Sequence, residues 1–251
     1  SWTPRNVDRT HHGAMTVKWA LMQSINVAAA KLITQIGPEA VVETATRFGI
    51  TSPLRPHLSL ALGTSGVSPL EMASAFGTFA AGGLYAQPMG IGRVEDYRGR
   101  ILAEQLPRRK QVANPQSVFQ VVEMMRGVVD GGTGRLIRQA GFDRPCAGKT
   151  GTTDEYTDAW FTGFTPTLSV SVWVGYDDNR SMRLRDGAGV TGTIGAIPIW
   201  TAFMLAAYQN QPVQDFSVPP GIEFVSIDPK TGQVVTEETA ERIVVAMKAG
   251  S

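Results

Sequence analysis

Apolar and polar positions divide the chain into a helical first half and a β-rich second half. The stretch from about Met15 to Ile36 is rich in helix formers, and Gly37-Pro38 stops that helix and opens a second one ending at Gly49. Ser68-Pro69-Leu70-Glu71 supplies an N-cap, a proline at the first helical position and a glutamate three residues on, which predicts a helix running to Gly82-Gly83. Asn114-Pro115 opens another, through Val121 and Met125 to Asp130, where Gly131-Gly132-Thr133-Gly134 breaks it. Between these two helices, Gly90 to Gln105 reads as a short strand pair around Arg98-Gly99.

Pro145 to Tyr176 changes character, with β-branched and aromatic content and a break at Thr165-Pro166, and reads as a three-stranded antiparallel meander. Asp186 to Gly195 is a glycine-rich loop, and Ala196 to Gln209 an apolar helix with Pro198 in its first turn. The proline-rich run 211–221 reads as a linker. Beyond it, Ile222 to Val235 reads as a β-hairpin turning at Asp228-Pro229-Lys230-Thr231-Gly232, and the tail from Glu237 as weakly helical or disordered, so 222–251 forms a C-terminal extension. Helices before and after a meander predict an α+β domain, an antiparallel sheet covered by helices.

The first strand of that meander carries candidate chemistry. Lys149 offers a point charge and three donors, Thr150 and Thr152 offer hydroxyls, and Gly151 leaves the backbone bare for a ligand's main chain. Period-2 alternation sends Thr150 and Thr152 to one side and Lys149 and Gly151 to the other. Such a strand suits an anionic, amide-containing substrate. Gly148-Lys149-Thr150 also matches the end of a phosphate-binding loop, but that pattern needs a glycine five residues before Gly148, where Asp143 stands and would repel phosphate.

Composition narrows the classes. With 251 residues, 43% of them hydrophobic, the chain can bury a sizeable core. Lys plus Arg number 23 against 22 for Asp plus Glu, and the net charge of +1 makes no case for nucleic acid. Arg108-Arg109-Lys110 reads as a solvated connector. The single cysteine, Cys146, excludes an intrachain disulfide and a Cys-based zinc site, and its apolar neighbours suggest a buried, inert thiol. His11, His12 and His57 are too scattered for a metal centre, and no run of about 18 apolar residues could span a bilayer. Ser1-Trp2-Thr3-Pro4 opens like the middle of a protein rather than a signal peptide.

Ser24-Ile25-Asn26 places a hydroxyl and a carboxamide two residues apart, a spacing that does not share a helix face. Two readings follow: the helix breaks there, with Asn26 capping the next segment, or it runs on with a small serine and a solvated asparagine.

Ser24-Ile25-Asn26 and Lys149-Thr150-Gly151-Thr152 together resemble two of the three signature elements of the penicillin-binding transpeptidases, relatives of the serine β-lactamases. The resemblance covers most of residues 1–210 and extends to Ala61 through Ala73, to Gly131-Gly132-Thr133-Gly134, and to Asp158-Ala159-Trp160-Phe161 through Trp173-Val174-Gly175-Tyr176. These stretches are similar to the class A branch, which joins a glycosyltransferase domain to the transpeptidase domain at the periplasmic, extracytoplasmic face of the bacterial inner membrane. The third element, Ser-x-x-Lys, is not in this sequence: three residues before Lys18, Lys31, Lys110, Lys149, Lys230 and Lys248 stand Met15, Ala28, Pro107, Cys146, Ile227 and Val245. The nucleophile and the fold's early strands are therefore expected outside this chain, which alone is expected to be inactive.

The resemblance implies a site without metal or cofactor that acts on the D-Ala-D-Ala end of a peptidoglycan stem peptide and is blocked by β-lactam antibiotics. It implies that Ser24 relays a proton to the leaving nitrogen, Asn26 holds the substrate amide and Lys149 supplies positive potential. Thr150 and Thr152 would bind the terminal carboxylate, the backbone N–H of Thr152 would form one arm of an oxyanion hole, and Gly151 would let the peptide lie alongside. Membrane contact would come only through parts outside this chain. A sensor or scaffold of the same fold, and a D,D-carboxypeptidase or β-lactamase relative, share these residues.

Overall fold

The structure, a computed structural model, describes residues 3–229, 231–236 and 242–250. Thr16 caps helix α1 (Val17–Met22) through its hydroxyl, which accepts from Trp19 N at 3.2 Å. The helix ends after six residues, and α2 (Asn26–Ile36) starts anew beyond Ser24, whose φ of 56° lies in the left-handed region. Met15 to Ile36 is thus two helices rather than one. Asn26 is the first residue of α2 and not its cap; the side chain of Asn6 does the capping, its Oδ1 accepting from Val27 N at 3.1 Å. Gly37, at φ 83°, turns the chain into α3 (Pro38–Arg47).

Helix α4 (Pro69–Ala80) carries the expected capping box between Ser68 and Glu71. Next come β1 (Leu84–Ala86), β2 (Arg93–Glu95), β3 (Ile101–Glu104) and β4 (Arg109–Gln111), which pair antiparallel as β1 with β4 and β2 with β3. The basic cluster at 108–110 is exposed, as a solvated segment should be, although Arg109 and Lys110 belong to β4 rather than to a connector. Asn114 caps α5 (Pro115–Gly131), and its carboxamide oxygen accepts from Gln116 N and Ser117 N. A short α6 (Leu136–Gln139) leads to the meander of β5 (Ala147–Thr152), β6 (Asp158–Phe164) and β7 (Ser169–Gly175), in the order β5-β6-β7.

Register divides the side chains of this sheet between two cores. Ala147 pairs with Phe164, and both join a cluster with Val118, Phe119, Val122 and Met125 of α5 and Ala75 of α4. Phe161, paired with Thr150, faces the other way and meets Trp200 of α7 (Ile197–Ala207), with ring centroids 5.1 Å apart, in a cluster that also holds Ile137, Phe142 and Cys146. Helices therefore cover both faces of an antiparallel sheet, the α+β arrangement the pattern predicts. A π-helical turn at Gly192–Ala196 leads into α7.

Residues 211–220 are held against the body. The Arg144 guanidinium donates to the carbonyls of Tyr208, Gln211 and Pro212, and Phe216 is buried against Phe164. β8 (Ile222–Ile227) pairs along its length with β9 (Ile243–Lys248), whereas the 222–235 hairpin is reduced to one bridge, Ile227 to Val234. The expectation of a helical or disordered tail is corrected at 243–248. The chain there is the apolar, partly β-branched run Ile243-Val244-Val245-Ala246-Met247, and Ala246 reaches the core beside α5. Residues 237–241 lie outside the described residues, as does Lys230 of the turn.

Candidate active site

β5 is an edge strand, and its free edge borders the α1–α2 junction. The Lys149 side chain lies on the same side of β5 as Ala147, the side that α5 covers, and its Nζ donates to Ser24 Oγ at 2.7 Å and to its neighbour's carbonyl, Thr150 O, at 3.0 Å. Burial lowers its pKa from 10.5 to about 8, because a desolvated ammonium is less stable than one in water. Ser24 reaches this position only because the chain adopts a left-handed turn there, a conformation uncommon for serine. Asn26 does not join this pair. Its amide donates to Arg5 O at 2.9 Å, and it makes no hydrogen bond to Lys149 or Ser24 among the described residues.

Across the strand, Thr150 Oγ1 meets Thr133 Oγ1 at 2.8 Å, and Thr152 Oγ1 accepts from Gly192 N at 3.0 Å. Backbone alternation orients the amides. Thr153 N donates to Asp158 O on β6, so the N–H of Thr152 faces the opposite side, the open edge of the strand. Among the described residues no strand pairs with that edge. An anionic peptide lying there would meet an ammonium, hydroxyls and an outward N–H, groups that bind a carboxylate and stabilise a developing oxyanion.

The glycines of this strand answer to packing as well as to a ligand. A Cβ on Gly151 would come within 3.1 Å of Trp160 Cβ on the neighbouring strand, and one on Gly148 within 2.7 Å of Thr162 O. The bare backbone at Gly151 thus also makes room for Trp160.

Three contributors escaped the sequence reading. Asn6 anchors α2 from 21 residues away in the chain, through its bond to Val27 N. Gly192 lies so close that a Cβ would sit 2.3 Å from Trp160 O and 2.7 Å from Gly151 O. Thr133 sits in the glycine cluster that breaks α5, and the signal was a threonine between glycines, which serves equally well as a helix stop. Gly132 explains the tight fit: a Cβ there would lie 2.3 Å from Met22 O.

Cys146 plays no part in the site. It is fully buried, and burial pushes its thiol up to about 11, which keeps it protonated and unreactive. Among the described residues no group of three or more His, Cys, Asp or Glu could hold a metal ion, and no helix is long and apolar enough to cross a membrane.

The penicillin binding protein transpeptidase domain family matches residues 1–194. Penicillin-binding protein 1A of Aquifex aeolicus is 38% identical over 250 residues, all of this chain but 33% of that protein, and penicillin-binding protein 2D of Bacillus subtilis is 38% identical over 225 residues, 87% of this chain and 31% of that protein. The chain therefore spans about a third of the length of these relatives. Among solved structures, penicillin-binding protein 1A of Haemophilus influenzae superposes with a TM-score of 0.87 at 26% identity, covering 99% of this chain and 42% of that one. PonA1 of Mycobacterium tuberculosis in complex with penicillin V does so with a TM-score of 0.76 at 26% identity, covering 86% and 65%. A lysine and serine meeting at the free edge of a Lys-Thr-Gly strand, within a matched region that takes in both elements, place this chain in the penicillin-binding transpeptidase family.

Proposed function

We propose that this chain is the substrate-binding and oxyanion half of a peptidoglycan D,D-transpeptidase of the class A type, with the acylated serine in polypeptide outside it. The observation that carries this reading is the 2.7 Å contact between Lys149 Nζ and Ser24 Oγ at an open strand edge. The ammonium lends positive potential to incoming nucleophile and substrate carboxylate, and Ser24, bonded to it, passes a proton to the leaving nitrogen. Thr150 and Thr152 hold the terminal carboxylate of a stem peptide, and the outward N–H of Thr152 receives the oxyanion. Asn26 would have to release Arg5 O to meet the substrate amide. The parent protein would work at the extracytoplasmic face of the bacterial inner membrane, beside a glycosyltransferase domain, and β-lactams would occupy the same edge.

Intact-mass measurement of the complete gene product after incubation with a penicillin tests the proposal. One covalent adduct per molecule is expected, abolished by Lys149→Ala. No adduct on the unmutated protein would favour a sensor or scaffold of the same fold.

A further inference from the structure

Thr133 is tied to three segments at once. Its N–H donates to Met22 O at 3.1 Å, where α1 ends just before Ser24; its carbonyl accepts from Thr193 Oγ1 at 3.2 Å; and its hydroxyl lies 2.8 Å from Thr150 Oγ1. Its backbone is pinned on both sides. Gly132 and Gly134 allow this, since a Cβ on either would press on Met22 O or Val128 O, at 2.3 and 3.1 Å. Neither hydroxyl of the Thr133–Thr150 pair has another hydrogen-bond partner among the described residues.

A hydroxyl carries one proton and two lone pairs. If Thr133 donates to Thr150, the proton of Thr150 is free to point outward to an anion; if Thr150 donates to Thr133, its own proton is spent. With a carboxylate at the strand edge the first arrangement wins, because the outward bond is then charge-assisted and the two bonds polarise each other. Thr193 fixes the backbone from the far side, and Gly192 next to it donates to Thr152, so the two threonines of β5 are each oriented by a neighbouring segment.

We infer that Thr133 is a positioning residue for substrate carboxylate recognition, acting through Thr150 by directing its hydroxyl proton to the anion. The inference rests on the transpeptidase reading and adds to it a residue outside the two signature elements.

The test uses the complete gene product, with acylation rates measured for a penicillin and for its methyl ester. Thr133→Val should slow acylation by the acid roughly ten- to a hundredfold, the size of a lost hydrogen bond to a charged group, while leaving the ester, which presents no anion, within about threefold. Thr133→Ser, which keeps the hydroxyl, should stay within about threefold of the unmutated protein for both compounds. Equal losses for acid and ester, an unchanged Thr133→Val, or a Thr133→Ser as slow as the valine variant would each overturn the assignment. If the unmutated protein is not acylated at all, the transpeptidase reading falls and this inference with it, whereas acylation that ignores Thr133 removes only the inference.

Discussion

Lys149 and Ser24, 125 positions apart in the chain, meet at 2.7 Å, and the serine does so in a left-handed conformation at φ 56°. Desolvation of that lysine, not its bond to Ser24, predicts how the chain responds to pH. An unfolded lysine titrates at its ordinary 10.5 and the half-buried Lys149 at about 8, so between these values the unfolded state binds more protons than the folded one. The penalty of burying the ammonium is fully present below about pH 8 and is relieved as pH rises towards 10.5. Titration of the Lys149 ¹³Cε resonance in the isolated chain should show a midpoint about 8, and Lys149→Met should stabilise the chain at pH 7 but not at pH 11. A midpoint at 10.5 would mean that water reaches the ammonium and that the site is not desolvated.

Glu71 holds two loops together in the same manner as it caps its helix. Its carboxylate accepts from Thr51 N, Ser52 N and Ser68 N at 2.7, 2.6 and 2.8 Å, and from the hydroxyls of the same three residues. These donors, led by Ser68 N–H, hold its pKa well below the ordinary carboxylate range. The stability this contributes is present above the unfolded value of 4.5 and is lost as pH falls below it towards the folded value. Glu71→Gln replaces one acceptor by a donor facing other donors and should destabilise by about 1–3 kcal/mol in urea unfolding at pH 7, with faster exchange of the Thr51 and Ser52 amides. The difference should shrink at pH 3; a constant gap from pH 3 to 7 would contradict the charge-based account.

Alanine substitutions should rank the three glycines around β5. Gly192→Ala and Gly148→Ala push a Cβ against backbone oxygens at 2.3 and 2.7 Å, which cannot swing aside, whereas Gly151→Ala meets Trp160 Cβ at 3.1 Å. The first two should cost about 1–3 kcal/mol or more and the third less than about 1 kcal/mol. Thermal melts of the isolated chain would reveal the order, and a Gly151→Ala variant less stable than Gly148→Ala would show the packing reading to be mistaken.

Local rules explain which elements were legible. The capping box at Ser68, the Asn114-Pro115 start and the β-branched meander each carry their signal within a few residues, and each forms where expected. A break between α1 and α2 is one of the two readings of Ser24-Ile25-Asn26, but its cap comes from Asn6 far upstream, and the final strand forms by pairing with β8, partners that local spacing does not contain. The site shows the same division. Lys149, Thr150 and Thr152 stand in one strand within one four-residue pattern, whereas Thr133 owes its position to glycines that let its loop pass close under Met22.

The isolated chain should form no covalent adduct with a penicillin. It contains no Ser-x-x-Lys sequence, and loss of the nucleophile in a comparable acyl-transfer site lowers turnover by roughly 10⁶ while leaving binding and oxyanion stabilisation. Intact-mass spectrometry after overnight incubation is the measurement. A stoichiometric gain in mass would mean that a serine of this chain, Ser24 foremost, is itself acylated, and the division of labour proposed above would be wrong.

Self-association is the last expectation, and it comes from the opposite side of the sheet. The outer edge of β7 pairs with no strand among the described residues, so its backbone donors and acceptors are available, and Val170, Val172 and Val174 lie on one side of it, only partly buried. An unpaired strand edge seven residues long without proline or charge is a template for a second copy. The isolated chain should therefore show concentration-dependent mass in light scattering. Val172→Lys, on the face turned towards α7, risks the core, so Ser171→Pro is the sharper probe of edge pairing, and Ser171→Ala controls for loss of its bond to Thr162. Proline should return the chain to a monomer while alanine leaves it associated; a stable monomer of the unmutated chain at all concentrations would refute edge pairing altogether.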